Sequence, residues 1–582
     1  MNDAELRIRE LLVFLYGKEG SRVWQALHPK LKAFRRQHSE RSEAPSAPER
    51  CLSERDAFLI TYGDQITEPG RAPLQTLADF LDRWVEDAIG GVHLLPFFPY
   101  SSDDGFAIVD HRRVDPRLGS WADVEALARR RRLMVDAVIN HVSSQHPWFE
   151  AFKQRKAPYH DYFIVTTPKA ALSKVVRPRT SPLLTPVKTV QGTQYVWTTF
   201  SADQIDLNYK NPHVLLEIID LLLFYVAHGA QVLRLDAVAY LWKELNTSCI
   251  HLPQTHALVK LFRAVLDVTA PGVLLITETN VPHQENVQYF GDGGDEAQLV
   301  YNFALPPLVL HAFHTGSARR LAEWAQTLKV PPACGFFNFL ASHDGIGLLP
   351  ARGILSDDEV KELVKRAEVH GGLISYRAGP DGSKEPYELN ITFYDALNDP
   401  STPDDQRDIR RFLAAQAIML SLAGVPGLYA HSLLGSRNCH KCVQNTGLAR
   451  SINREKFQRQ ALEAELTDGT SRRARVFRGY LKLLKVRQEH PAFHPFGKQH
   501  ILHADEGTFA LVREAPDNSE TLLALIDVSG RARRVPVDVV RDKLPSVERW
   551  QDLLSGEILT ACERHLVVPL DGYQVRWLAP LR

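Results

Sequence analysis

The chain has 582 residues, and its 69 Lys and Arg balance 69 Asp and Glu to a formal net charge of zero. That balance excludes the basic excess of a polyanion-binding protein, so no nucleic-acid partner is expected. Hydrophobic residues at 44% and charged residues at 24% are ordinary for a globular chain with a large core, and the longest apolar stretches, such as Leu221 to Val226, are too short to span a bilayer.

In chain order, residues 1–38 read as one or two amphipathic helices, with Leu6, Leu11, Leu12 and Leu15 and then Val23, Leu27, Leu31 and Phe34 at helical spacing. Their apolar stripe suits packing on the rest of the chain or on a partner subunit, as in a homodimer. A polar segment with two Ala-Pro steps, about residues 39–56, reads as a linker. Short apolar runs then alternate with amphipathic helices: Ala57–Tyr62, Gly91–Phe98, Leu133–His141, Gln231–Val238, Val273–Thr279, Gln298–Phe303, Gly335–Ser342 and Val425–His431. Eight such βα units predict an α/β fold, a (β/α)8 TIM barrel. The long gaps after the third and seventh runs predict insertions on the active-site rim, over 142–207 and 346–404. The barrel is assigned to 57–495, behind an N-terminal extension and linker at 1–56. Strand-like runs at Thr508-Phe-Ala-Leu-Val-Arg, Thr521-Leu-Leu-Ala-Leu-Ile-Asp and Val575–Leu578 mark a small C-terminal β-domain over 496–582.

Six cysteines in this length do not make a disulfide scaffold. Only Cys439 and Cys442 are close, in Cys-His-Lys-Cys, and the second ligand pair of a structural zinc site is missing. The charged N-terminal start lacks the apolar core of a signal peptide, so a reducing, cytoplasmic setting is expected, with no membrane.

The chemistry lies at the ends of the apolar runs. The third run delivers Asp136, Asn140 and His141. The fourth carries Arg234 and Asp236, two residues apart and therefore on one face of a strand. The fifth ends in Glu278 and the seventh in His343 and Asp344. A charge on a buried strand is costly unless paired or used. Asp136 alone is explained as readily by a structural ion pair, but three carboxylates converging on one barrel mouth suit glycosyl transfer. A retaining enzyme needs its two carboxyl groups about 5–5.5 Å apart, and neighbouring strands lie about 4.8 Å apart. Arg234 is expected to keep Asp236 ionised, and nearby carboxylates to raise Glu278.

These segments resemble the four signature regions of the α-amylase superfamily, glycoside hydrolase family 13, from about Phe58 to the C-terminus. The resemblance implies that Asp236 is the nucleophile, Glu278 the acid/base and Asp344 the transition-state stabiliser, with Arg234, His141 and His343 lining the donor-sugar subsite. Finer matches point to the sucrose phosphorylase branch. Ser101-Ser-Asp-Asp-Gly-Phe resembles its Asp-x-Gly-Phe segment, assigning Asp103 and Phe106 to the donor glucose, and Arg450-Ser-Ile-Asn-Arg adds Arg450. Val176-Arg-Pro-Arg-Thr places Arg179, with Arg177 beside it, where the branch keeps a phosphate-binding arginine, and Tyr240 and Tyr387 match acceptor-site tyrosines.

Two departures fall on the acceptor side and argue against sucrose. Glu388 replaces a Gln, and Arg437 stands where the branch has a Gly-Lys pattern. Together with the N-terminal extension, Ile60-Thr-Tyr-Gly-Asp-Gln, Trp242-Lys-Glu, Thr247-Ser-Cys-Ile-His-Leu and His431-Ser-Leu-Leu-Gly-Ser-Arg-Asn, they resemble phosphorylases acting on 2-O-α-D-glucosyl-D-glycerate. The implied reaction consumes that glucoside and inorganic phosphate and yields α-D-glucose 1-phosphate and D-glycerate, without cofactor or metal. Glycerate and phosphate are anions that share one acceptor space, which a guanidinium suits; Arg177, Arg179, Arg437 and Lys243 are the candidates. Sucrose 6′-phosphate, sucrose or glucosylglycerol as substrate, a hydrolase or transglucosidase, and a non-catalytic barrel are the alternatives.

Overall fold

The computed structural model describes residues 3–42, 51–379, 383–538, 544–562 and 565–581. Eight strands form a closed, all-parallel barrel in sequential order: β1 (Phe58–Thr61), β2 (Gly91–Leu94), β3 (Arg132–Ala137), β4 (Ala230–Leu235), β5 (Leu274–Thr277), β6 (Leu299–Tyr301), β7 (Gly335–Phe339) and β8 (Val425–Tyr429). Each falls within or beside an expected apolar run, and the pairing of β8 with β1 closes the ring that periodicity alone leaves open. The strands are buried on both faces, as a barrel wrapped by helices requires. The polar residues therefore collect where each strand leaves the packed interior.

Two insertions rise over that end. After β3, His141–Ser143 pairs antiparallel with Gln204–Asp206, and between them lie the helix Pro147–Lys153 and a three-stranded sheet of Val165–Thr166, Gly192–Trp197 and Leu184–Thr189. After β7, the strands Ile346–Gly347, Leu373–Ala378 and Lys384–Asn390 form a second small antiparallel sheet with the helix Asp357–Val369. Gly347 pairs with Glu388, and a β-carbon on Gly347 would lie 2.5 Å from Asn280 Oδ1, so glycine lets this sheet press against the end of β5.

Behind the barrel, a six-stranded antiparallel sheet and the pair Arg533–Asp538 with His565–Leu570 form the C-terminal unit. One face of the large sheet encloses its own apolar core around Val512, Leu523, Leu525 and Trp550. The other faces the barrel, where Trp577 Nε1–H donates to Ser421 Oγ at 2.9 Å and Arg513 donates to the Ser421 carbonyl at 2.8 Å. Of its eight strands, only those beginning at Thr508, Thr521 and Val575 stand out in the sequence; the others are short or half-polar.

The N-terminal extension forms α1 (Asp3–Tyr16) and α2 (Gly20–Gln37), and residues 43–50 of the expected linker lie outside the described residues. Gly20 lets the two helices cross tightly, because a β-carbon there would meet the Leu12 carbonyl oxygen at 2.5 Å. On the chain's own barrel helices, α2 packs against α3 (Pro212–Ala227) and both α1 and α2 pack against α4 (Pro253–Thr269). Tyr16 O–H donates to the Tyr209 carbonyl at 2.9 Å. The buried stripe of α1 is Ile8, Leu12 and Leu15; Leu6, expected in it, faces solvent. On α2, Val23, Leu27, Leu31 and Phe34 are buried as expected. Leu27→Ala should therefore destabilise the protein by about 2–5 kcal/mol, independent of protein concentration, whereas the exposed Val13→Ala should change stability by less than about 0.5 kcal/mol; urea unfolding at two concentrations checks both.

Candidate active site

Arg234 and Asp136 are direct neighbours in the β3–β4 register. The Arg234 guanidinium, 2% exposed, donates to Asp136 and, at 2.8 Å, to Asp236 Oδ1. His93, on β2, lies 2.7 Å from the other Asp136 oxygen. Asp136 is thus a structural counter-ion, buried beneath the floor of the cavity, while Asp236 stands at the floor itself.

Immediately after Asp236 the chain turns through Ala237, whose φ of 47° is left-handed. Such a backbone in a residue with a side chain persists only where its surroundings hold it. Here the Ala237 N–H donates to Glu278 Oε2 at 2.9 Å, and the Glu278 N–H donates to the Leu235 carbonyl at 3.1 Å. The turn that presents one carboxylate therefore holds the other beside it on the next strand.

The three carboxyl groups are driven apart electrostatically. Burial raises Glu278 to about 7, the Asp236 and Asp344 charges adding to the rise while Arg234 and the Ala237 N–H oppose it. Burial is thus a larger cause than the neighbouring carboxylates expected from the sequence. Asp236 is also raised, burial outweighing Arg234, so the arginine limits the shift rather than abolishing it. For Asp344 burial is overcome: Arg450, His343 and Arg454 hold it well below the usual carboxylate range. Groups at one site whose environments separate their protonation are the mark of assigned acid and base roles.

One cavity collects most of the residues that the sequence points to: Asp103, Phe106, His141, Arg179, Asp236, Tyr240, Glu278, His343, Asp344, Tyr387, Glu388 and Arg450 line it. At its inner end Phe106 and His343 stack at 4.8 Å with planes 4° apart. Burial lowers His343 to about 3, leaving the ring neutral near pH 7. His141 Nε2–H donates to the Phe106 carbonyl at 2.9 Å. Arg450 bridges inner and outer parts, reaching Asp344 Oδ1 at 2.6 Å and donating to both Glu388 oxygens at 2.8 and 2.9 Å. The carboxylate that departs from the sucrose phosphorylase pattern is therefore already paired. Toward the mouth, Arg179 lies over Tyr387 at 5.3 Å and Phe200 at 6.0 Å, and Phe200 meets Tyr240 edge-on at 5.5 Å.

Phe200, Gln204 and Asn280 also line the cavity, and sequence reasoning misses them. Asn280 is two residues beyond Glu278, in the segment that leaves β5, and its Oδ1 has no hydrogen-bond partner. Phe200 and Gln204 lie where the first insertion returns to the barrel, and no periodicity marks them.

Three expected acceptor residues do not line this cavity. Arg177 turns back on its own loop, donating to the Thr180 and Ser181 carbonyls. Lys243 is buried: its ammonium reaches Asp206 Oδ2 at 2.6 Å and Asn140 Oδ1 at 2.7 Å, which pins the base of the first insertion. Arg437 faces Asp395 at 3.8 Å and Tyr394. Cys439 and Cys442 are joined as a local disulfide at the head of the helix His440–Thr446, a bond that departs from the reducing setting expected from the sequence. Among the described residues no three His, Cys, Asp or Glu side chains converge on a metal position.

The model of the α-amylase catalytic domain matches residues 73–344. A glucosylglycerate phosphorylase of Spirochaeta thermophila is 49% identical over 583 residues, covering 99% of each chain. One from Escherichia coli K12 is 43% identical, covering 90% of this chain and 92% of its own. Among solved structures, a sucrose 6F-phosphate phosphorylase from Thermoanaerobacter thermosaccharolyticum superposes with a TM-score of 0.72 at 28% identity, covering 83% of this chain and 96% of that one.

The Lys243 position makes a checkable distinction. Lys243→Met strands the Asp206 carboxylate in the interior, so the protein should lose about 3–5 kcal/mol of stability, seen as an earlier urea midpoint; a fall in acceptor affinity with stability intact would return Lys243 to the substrate.

Proposed function

The chain belongs to glycoside hydrolase family 13, the α-amylase family, in its sucrose phosphorylase branch, and on that premise we infer that it is a retaining glycoside phosphorylase cleaving 2-O-α-D-glucosyl-D-glycerate with inorganic phosphate to α-D-glucose 1-phosphate and D-glycerate. Its enzyme class is that of the hexosyl-transferring glycoside phosphorylases. A cytoplasmic setting is part of the same proposal; no helix among the described residues is long and apolar enough to cross a membrane.

The observation that carries the acceptor is the pairing of charges around the cavity. Arg234 is matched by Asp136 and Asp236, and Arg450 by Asp344 and Glu388. Among the described residues, Arg179 has no carboxylate partner and is held instead over aromatic faces. A guanidinium left available beside two catalytic carboxylates suits a small anion as leaving group and as attacking group.

In the proposed double displacement, glucose lies against Phe106 and His343, its hydroxyls among Asp103, His141 and Arg450. An Asp236 oxygen attacks C1 as the C1–O bond to glycerate breaks, and the departing C2 oxygen of glycerate takes the proton of Glu278. Asp344, ionised, stabilises the positive charge that develops on the sugar. Glycerate then leaves, a phosphate oxygen adds to C1 from the same side, and the C1–Asp236 ester breaks. The phosphate proton returns to Glu278, and two inversions retain the α configuration. A carboxyl group near 7 is suited to both halves, being close to even in its two forms at neutral pH.

Purified enzyme given glucosylglycerate should release glucose 1-phosphate only when phosphate is added; release from sucrose 6′-phosphate but not from glucosylglycerate would sink the reading. Because Glu278 must be protonated for glycerate to leave, kcat/KM for the glucoside should fall above about pH 7, approaching tenfold per pH unit. Glu278→Gln should lower kcat/KM by about 10²–10⁴-fold and remove this alkaline limb from the profile.

A further inference from the structure

The turn that carries Asp103 and Phe106 is built in an unfavourable backbone form. Asp103, Asp104 and Gly105 follow one another at φ of 54°, 46° and 114°, and two of the three are not glycine. Backbone of this kind is retained only when neighbouring structure over-determines it. The bonds inside the turn, from Ser101 N–H to the Ala107 carbonyl at 3.0 Å and from Phe106 N–H to the Asp103 carbonyl at 3.1 Å, close its base. They do not tie it to the rest of the site.

Contacts from outside the turn do, the His141 bond to the Phe106 carbonyl among them. On one side Arg454 donates to Asp104 Oδ2 at 2.5 Å and to the His343 carbonyl at 2.8 Å. On the other stands Asp203, at the return of the first insertion. Its Oδ2 accepts from the hydroxyls of Ser101, at 2.5 Å, and Ser102, and its Oδ1 accepts from Ser144 at 2.5 Å. Ser143 Oγ lies 2.6 Å from Ser101 Oγ, and the Ser144 N–H donates to the Asp203 carbonyl at 2.9 Å. One carboxylate thereby joins the turn after β2, the extension after β3 and the end of the insertion. The next residue, Gln204, donates to Asp103 Oδ2 at 3.3 Å. Burial opposes ionisation of Asp203, but the three serine hydroxyls and the Ser144 N–H hold its carboxyl below the ordinary value, as a full acceptor requires. Asp203 itself does not line the cavity.

We propose that Asp203 is a positioning residue of the donor subsite: through Ser101 and Ser102 it holds the left-handed Asp103–Gly105 turn in the form that receives glucose, coupling the seating of the first insertion to donor capture. The proposal rests on the reading of Asp103 and Phe106 as donor-glucose groups. A clamp that merely stabilised the insertion would weaken all substrates or none. A clamp on the turn acts on glucose while it is being captured, and much less once glucose is covalently held on Asp236.

The test compares Asp203→Ala, the double variant Ser101→Ala/Ser102→Ala and Asp103→Ala in both reaction directions. The first two should lower kcat/KM for glucosylglycerate and for glucose 1-phosphate about 10- to 100-fold, while kcat/KM for phosphate and for glycerate stays within about threefold. An equal loss for donors and acceptors, or no kinetic loss, overturns the proposal. If Asp203→Ala fails to fold, the same two outcomes are read from the serine pair. If Asp103→Ala leaves the donor constants unchanged, the donor reading itself is wrong and the proposal falls with it. If only Asp103→Ala is impaired, the donor reading stands and the role of Asp203 does not.

Discussion

The Arg234 guanidinium, buried at the top of the barrel, is the charge on which the site depends. Removing it from water costs several kcal/mol, and the fold offsets that cost with Asp136 beneath and Asp236 above. The lower carboxylate is locked by His93 and fixes the arginine; the upper one, its side chain 12% exposed, stands at the cavity floor. Arg234 also restrains how far burial can raise Asp236 and Glu278. Without a cation there, two carboxyl groups at the ends of adjacent buried strands would share a proton, and their charge states would not be separately set. The left-handed turn at Ala237 then converts this electrostatic arrangement into a geometric one, because the backbone leaving Asp236 binds Glu278.

The barrel supplies this centre, but the insertions supply the rest. Arg179, Phe200 and Gln204 come from the first, and Tyr387 and Glu388 from the second. Arg450, from the segment after β8, joins them by gripping Asp344 and Glu388 together. The net charge of zero conceals this local order, in which Arg234 and Arg450 are each clasped by two carboxylates.

The barrel is legible in the sequence because strands buried on both faces leave continuous apolar runs, and polar residues at their ends have nowhere to point but the mouth. Asp236, Glu278 and Asp344 stand out on that logic. Loop cations are not legible in the same way. Arg177, Arg179, Lys243 and Arg437 look alike as charges near a mouth, and what separates them is the partner each meets in space. Lys243 meets Asp206, 37 residues earlier in the chain, and Arg437 meets Asp395 from the other insertion. Only Arg179 meets aromatic faces without a carboxylate among the described residues. Pairing across long sequence separations leaves no periodic trace, and the strained turn at Asp103 leaves none either, since Asp is not the residue that marks left-handed backbone most strongly.

The manner in which Arg179 is held bears on why phosphate, and not water, should complete the reaction. A guanidinium fixed by a carboxylate is oriented but electrically spent. One held over Tyr387 and Phe200 keeps its charge for an incoming ligand. When glycerate leaves, the cation is exposed without a counter-ion in a site of lowered dielectric, where charges interact more strongly than in bulk water. Phosphate relieves that condition and water does not, so the departure of one anion creates the demand for the next. On the proposed reading the same cation serves both half-reactions, and both anions meet C1 from one face, which retains the configuration.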